Sequence, residues 1–317
     1  MEQQVERLVT QLERRPAAAI RKALIRDKYL YLLLLPGLLL ILLFRYVPMY
    51  GVVISFQDYN MYKGIGGSEW VGLYQFERLF RSPDFTEVLT NTIVISLYKL
   101  AASFSLPIIL SLLLNELKSI VFKRFAQSII YLPHFISWVI FSGIIITFLN
   151  PVDGMVNVII RHFGGAPIDF LGDVRYFRSV IVLSDVYKEV GWGTIIYLAA
   201  IAGVNADLYE AARIDGANKL RQMWHVTLPA IRPVIIILVI LSLANILEAG
   251  FQQIFLLYNA LVYDVADIID TYVYRVGIQG ADYSYATAAG LFKSAVAMVL
   301  ILTVNKIVKL TGQDGLW

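Results

Sequence analysis

The chain contains no cysteine, so neither a disulfide framework nor a thiolate metal centre can organise it, and the redox compartment is left open. Histidine is nearly as scarce: His134, His162 and His225 stand in separate segments, which argues against an imidazole metal site. Charge is thin as well, with 16% charged against 58% hydrophobic residues in 317. At a mean hydropathy of +0.66 the sequence is too apolar for an ordinary soluble domain and takes lipid as its solvent. No strand-like alternation marks an outer-membrane barrel. There is no Gly-x-x-x-x-Gly-Lys-Ser/Thr phosphate loop, and no Gly-Lys pair anywhere, so ATP is not expected on this chain. An HExxH motif and a nucleophile elbow are also missing, which disfavours a membrane-embedded hydrolase. The net charge of +3 is modest, and nucleic acid is not expected among the partners.

What is present is a series of apolar blocks of transmembrane length. Hydropathy places spans at about 29–56, 88–115, 125–150, 178–203, 233–254 and 286–305. The fold class expected is therefore an all-α integral membrane protein of six transmembrane helices. The first block follows a long charged segment, so it reads as a retained helix and not as a cleaved signal peptide. It carries Pro36, Arg45 and Pro48, and a bend or an early exit from the bilayer is expected there. Lys and Arg number seven, three, four and two in segments 1–28, 116–124, 204–232 and 306–317, against three, three and one in 57–87, 151–178 and 255–285. The positive-inside rule then puts both termini in the cytosol. The expected organisation is a cytosolic segment 1–28, a six-span domain 29–310 with cytosolic helices at 205–229, and a tail 311–317. The external segments 57–87 and 255–285 are dense in aromatic residues, which suits an interfacial belt or a docking surface for a soluble partner.

The most informative polar stretch lies between the fourth and fifth blocks. Asp207 and Glu210 are three apart, as in a capping box, so a helix is expected from Leu208. Gly216 is placed to end it in a left-handed conformation, and a second helix from Ala217 to about Thr227 is expected to stop at Pro229. The small Ala211 and Ala212 would let another surface approach closely. An amphipathic loop resting on lipid headgroups is the bland alternative.

The pattern Glu210-Ala211-Ala212, three residues, Gly216, nine residues, Val226, one residue, Leu228-Pro229 resembles the signature loop of permease subunits of binding-protein-dependent ABC importers. The Asp215-Gly216-Ala217 variant is similar to the carbohydrate branch. Arg45-Tyr-Val-Pro-Met-Tyr-Gly51, Trp70-Val-Gly-Leu, Leu113-Leu-Asn-Glu116, Tyr131-Leu-Pro-His-Phe-Ile-Ser-Trp138, Lys188-Glu-Val-Gly-Trp192 and Asp270-Thr-Tyr-Val-Tyr-Arg275 look like the subgroup for oligosaccharides released from complex polysaccharides. The resemblance implies the type I importer permease architecture and four kinds of partner: a second permease, two ABC ATPase subunits that bind ATP and Mg, an extracytoplasmic substrate-binding protein, and an oligosaccharide. It also implies ATPase coupling through Glu210, Ala211, Ala212, Asp215, Gly216, Leu228 and Pro229, and a bacterial inner-membrane location.

Charged residues inside spans are costly and usually face a cavity or one another. Candidates for a translocation path are Lys99, Asp185, Lys188, Trp192, Tyr197, Asn245, Glu248 and Gln252. Asp185 and Lys188, three apart, could instead neutralise each other. Lys99 and Lys293 could meet acids of a companion subunit, or snorkel. Asn245, Glu248 and Gln252 read as one stripe on one helix face. The subgroup that the chain resembles includes importers of acidic oligosaccharides, and a cation here could pair with a uronate. That resemblance and the intramembrane lysines together make acidic oligosaccharides such as alginate or pectin fragments the first expectation and neutral ones the second. A secondary transporter or channel shares the hydropathy but leaves the loop pattern without a purpose.

Overall fold

The computed structural model describes residues 26–310. Most of segment 1–28 and all of tail 311–317 lie outside the described residues. Two compact units divide the chain, Met1–Val53 and Ile54–Trp317. Helix α1 (Lys28–Phe56) opens with the leucine-rich stretch Lys28–Ile41, which buries no residue and holds Pro36 inside it. An all-round apolar helix of this kind belongs in lipid or against a partner. The helix does not leave off at Pro48: a π-turn over Leu42–Tyr46 and a tighter turn over Tyr50–Phe56 carry it onward.

Beyond it, strands β1 (Gln57–Asp58) and β2 (Glu69–Trp70) form a short antiparallel hairpin, followed by α2 (Tyr74–Arg81), α3 (Pro83–Asn115), α4 (Ile120–Tyr131), α5 (Trp138–Leu149), α6 (Met155–His162) and α7 (Val174–Ala202). The rest comprises α8 (Ala206–Ile214), α9 (Lys219–Leu243), α10 (Phe251–Leu257), α11 (Ile269–Val273) and α12 (Tyr283–Leu310). Short polar side chains start these helices: Ser82, Ser119, Ser137 and Asp173 accept hydrogen bonds from the first free amides of α3, α4, α5 and α7.

Four of the helices, α1, α3, α9 and α12, are long and apolar enough to cross a membrane; counting each of two bent pairs as one span raises the number from 4 to 6. Two expected spans differ from the structure. The one placed at 125–150 bends by 102° between its two helices, because Pro133 and the extended residues Ile136 and Ser137 interrupt it. The one placed at 233–254 ends at the non-helical residue Asn245, and Gly250 adopts a left-handed φ of 96° before α10 begins.

The core is made of separate apolar clusters. One apolar cluster joins Ile95 of α3, Phe141 of α5, Ile181 of α7 and Ile254 of α10; a second joins Leu79, Phe85, Tyr272 and Tyr285 from α2, α3, α11 and α12. Where α4 ends against α7, Gly191 lets the backbones touch: a Cβ there would lie 2.2 Å from the Ile130 carbonyl oxygen. Gly191→Ala is therefore expected to destabilise the fold by about 1–3 kcal/mol as an overpacking change. A thermal melt of the purified membrane protein checks this against Gly143→Ala, whose Cβ meets nothing within 4 Å and whose gain in helix propensity should leave the midpoint no lower.

Candidate functional site

Two arrangements stand out, a polar hub among the helices and the loop of 205–229. In the hub, Lys99 is only 8% exposed, and its Nζ donates to Asp185 Oδ1 at 3.0 Å and to the Ala249 carbonyl at 2.8 Å. It also donates to Gln253 Oε1. Gln253 in turn donates to the Ile181 carbonyl at 2.7 Å and to Ser184 Oγ at 2.8 Å. An ammonium group can be held in an apolar interior only with a counter-charge and satisfied protons, and this one has both. A cleft opens beside it, lined by Ser96, Ser103, Asp185, Ser242, Asn245 and Glu248.

The pairing differs from the expectation in three ways. Asp185 neutralises Lys99 and not Lys188. Lys188 meets Glu189 at 3.2 Å and donates to the His134 carbonyl at 2.8 Å, at the bend between α4 and α5. Lys293 finds its acids within this chain, Glu248 Oε1 at 2.8 Å and Asp270 Oδ1 at 2.6 Å, so neither it nor Lys99 waits for a companion subunit. The expected stripe of Asn245, Glu248 and Gln252 is also not a helix face, because residues 245–250 interrupt the helix. Asn245 caps the end of that helix, Glu248 sits in the break, and Gln252 is exposed on α10 while its neighbour Gln253 enters the hub.

Trp192 is exposed and stacks on the His134 ring, 4.6 Å between centroids and 8° apart. His134 Nδ1 lies 2.7 Å from Glu189 Oε2. Tyr197, by contrast, is buried with Ile201 and Ile231 in an apolar cluster, away from the cleft. His134 and Asp270 are site neighbours that sequence reasoning passed over. Nothing in local spacing ties the first to Glu189 or the second to Lys293.

The loop is built as expected in outline and differently in its ends. Asn205, not Asp207, caps α8, its Oδ1 accepting from the Asp207 amide at 3.0 Å, so the helix starts at Ala206 and not Leu208. Gly216 has φ 75°, with the Ala217 amide on the Ala212 carbonyl at 2.8 Å and the Gly216 amide on the Arg213 carbonyl at 3.0 Å, the doubled bond of a Schellman ending. The second helix starts at Lys219 behind the cap of Asn218, and Pro229 does not stop it. A π-turn over Met223–Thr227 precedes the proline, which sits in the first turn of the α-helical stretch Leu228–Ala244, where its missing amide costs nothing. Glu210, Ala211, Asp215, Gly216 and Pro229 are exposed, and Ala212 and Leu228 half-buried; α8 buries nothing. Two bonds tie the loop down: Tyr209 Oη to Thr227 Oγ1 at 3.0 Å, and Lys219 Nζ to Glu116 Oε2 at 2.8 Å.

This arrangement matches a known family. Residues 103–311 match the binding-protein-dependent transport system inner membrane component, and the chain belongs to that family. It is thus a permease, the non-enzymatic membrane part of such a system. It stands among the ABC permeases for sugars and oligosaccharides. It is 48% identical to the polygalacturonan/rhamnogalacturonan transport system permease protein YteP of Bacillus subtilis (strain 168), over 99% of this chain and 97% of that one. It is 50% identical to protein LplB of the same organism over 93% of each. Among solved structures it superposes with a TM-score of 0.86 and 40% identity on a chain of a bacterial alginate ABC transporter, crystallised in complex with an alginate pentasaccharide-bound periplasmic protein, covering 93% of this chain and 99% of that one.

The cap assignment is open to test. Asn205→Ala is expected to weaken the start of α8 by about 1 kcal/mol, hence about fivefold faster hydrogen–deuterium exchange over 206–212. Asp207→Ala keeps the amide bond to Asn205 Oδ1 and removes only the carboxylate that accepts from Asn205 Nδ2 at 3.3 Å, so it should change exchange less; an equal or larger effect at Asp207 would restore the capping-box reading.

Proposed function

We propose that this chain forms half of the translocation path of an ATP-driven oligosaccharide importer and is driven through the loop 205–229. The single observation that carries this reading is the loop itself: a helix without a buried residue, ended by a left-handed Gly216 and tied to the membrane helices at Thr227 and Glu116. A helix that isolated contributes nothing to the core, and short helices are marginal without packing. Its exposed Glu210 and Ala211 suit a groove on a partner. In this reading the partner is a pair of ATPases, which bind ATP and its magnesium. A second permease supplies the other half of the path, and an extracytoplasmic binding protein delivers the sugar. The chain has six spans with both termini in the cytosol. Closure of the ATPases shifts the permease pair between inward-facing and outward-facing states, as a ligand shifts a two-state equilibrium.

The substrate proposed is an acidic oligosaccharide of the pectin or alginate kind. Support comes from the likeness to YteP and to the alginate transporter. The intramembrane lysines lend none, since each already faces a carboxylate of this chain. Neutral oligosaccharides are the second reading.

Gly216→Asp places a side chain at a φ that L-residues adopt at a cost of about 1–2 kcal/mol without touching the helices. The reconstituted complex should assemble and hydrolyse ATP while uptake falls by about tenfold or more; normal uptake would remove the coupling role. A panel of defined oligosaccharides, each presented with the binding protein, addresses the substrate. Oligogalacturonates or alginate oligomers should stimulate ATP hydrolysis, and stimulation by neutral sugars alone would sink the acidic assignment.

A further inference from the structure

Residues 245–250, between α9 and α10, leave the helix in the middle of an apolar region, and consecutive residues of this break are held from two different helices. The Ala249 carbonyl accepts from Lys99 of α3 at 2.8 Å. The Glu248 carboxylate takes Lys293 of α12 at 2.8 Å. Gly250 is fitted to the first contact, since a Cβ on it would lie 2.7 Å from Lys99 Nζ. Both ammonium groups are nearly enclosed, their side chains 10% and 12% exposed. Both are also neutralised, one by Asp185 and the other by Asp270 together with Glu248. Glu248 is the opposite case: its side chain is 64% exposed on the wall of the cleft that Asn245 and Ser242 share.

We propose that Lys99 and Lys293 are positioning residues of the translocation path: they pin the break so that Asn245 and Glu248 face the cleft, and neither reads the charge of the sugar. The inference rests on the reading of that cleft as part of the path. An orphaned carbonyl in a water-poor interior needs a donor, and a donor with a long flexible stem reaches it across a helix–helix gap. A buried cation needs a counter-charge from the same chain. The carboxylates that meet that need leave no charge over for a uronate, so selectivity for acidic sugars has to come from groups other than these lysines.

The test uses the complete complex in lipid nanodiscs with its binding protein. This chain has no cysteine, so Ser242→Cys gives it one thiol on the cleft wall, whose maleimide labelling rate is read on this subunit by mass. Lys99→Met should raise that rate about tenfold, since one partner of a buried pair is lost. Lys99→Met/Asp185→Asn removes the charge imbalance but not the missing donor to Ala249, and should remain fast; Lys293→Met should act in the same direction. The lysine variants should shift half-saturation of ATPase stimulation alike for charged and neutral oligosaccharides. Wild-type labelling in the double variant would reduce Lys99 to a counter-ion of Asp185 and overturn the proposal. So would an unchanged labelling rate combined with a loss confined to charged sugars. If no oligosaccharide stimulates the complex, the transport reading fails, and labelling still decides whether the lysines hold the break.

Discussion

Inside hydrocarbon there is no water to complete a broken helix, so each interruption of a span has to be closed by the protein itself. Two such interruptions lie among the described residues, at the bend between α4 and α5 and at residues 245–250. Both are closed by a lysine: Lys188 donates to the His134 carbonyl and Lys99 to the Ala249 carbonyl, each at 2.8 Å. A lysine solves the hydrogen-bond problem and creates an electrostatic one, because an isolated ammonium is far more costly to bury than a carbonyl. The answer in both cases lies on α7, where Glu189 and Asp185, one helical turn apart, face Lys188 and Lys99. The unbroken helix therefore supplies the counter-charges that allow its neighbours to be broken. Carbonyl, lysine and carboxylate form one set, and removal of any one member leaves an uncompensated polar group for the others.

That set also explains which features were legible in the sequence. Apolar runs and the Lys/Arg distribution need only local composition, so the blocks that become α3, α7 and α12 could be placed within a few residues. Pro229 and Asn245 could not be read correctly. A proline inside a helical pattern reads as a stop unless the turn before it is widened, and the π-turn of Met223–Thr227 has no composition of its own. Asn245, Glu248 and Gln252 carry the spacing of a helix face, yet Gly250 at φ 96° breaks the register between them. The pairing of Lys99 with Asp185 joins residues far apart in the chain, and the spacing of Asp185 and Lys188 pointed to the wrong partner. The loop was the reverse case. Its left-handed glycine and the exposed Ala211 follow from local sequence alone, whereas its first cap does not, because Asn205 competes with Asp207 for that role.

The misread proline carries the mechanical consequence. Had Pro229 ended the second loop helix, the loop would be hinged to the membrane domain. Instead α9 continues from Lys219 to Leu243, 25 residues, or about 37 Å of helix at 1.5 Å per residue, with the π-turn of Met223–Thr227, Pro229 and Pro233 inside it. One end is the loop, tied to Glu116 through Lys219. The other end is Asn245 and the break that Lys99 and Lys293 hold. A helix conveys a displacement applied at one end to the other, and α8, without a buried residue of its own and ended by Gly216, is held to α9 through Tyr209 and Thr227. In the proposed reading a movement at the loop arrives at residues 245–250, where the backbone is out of helix and bonded through side chains. In that reading the cleft-lining residues Asn245 and Glu248 lie where the helix from the loop ends, and a change of state at a partner alters what the cleft presents there.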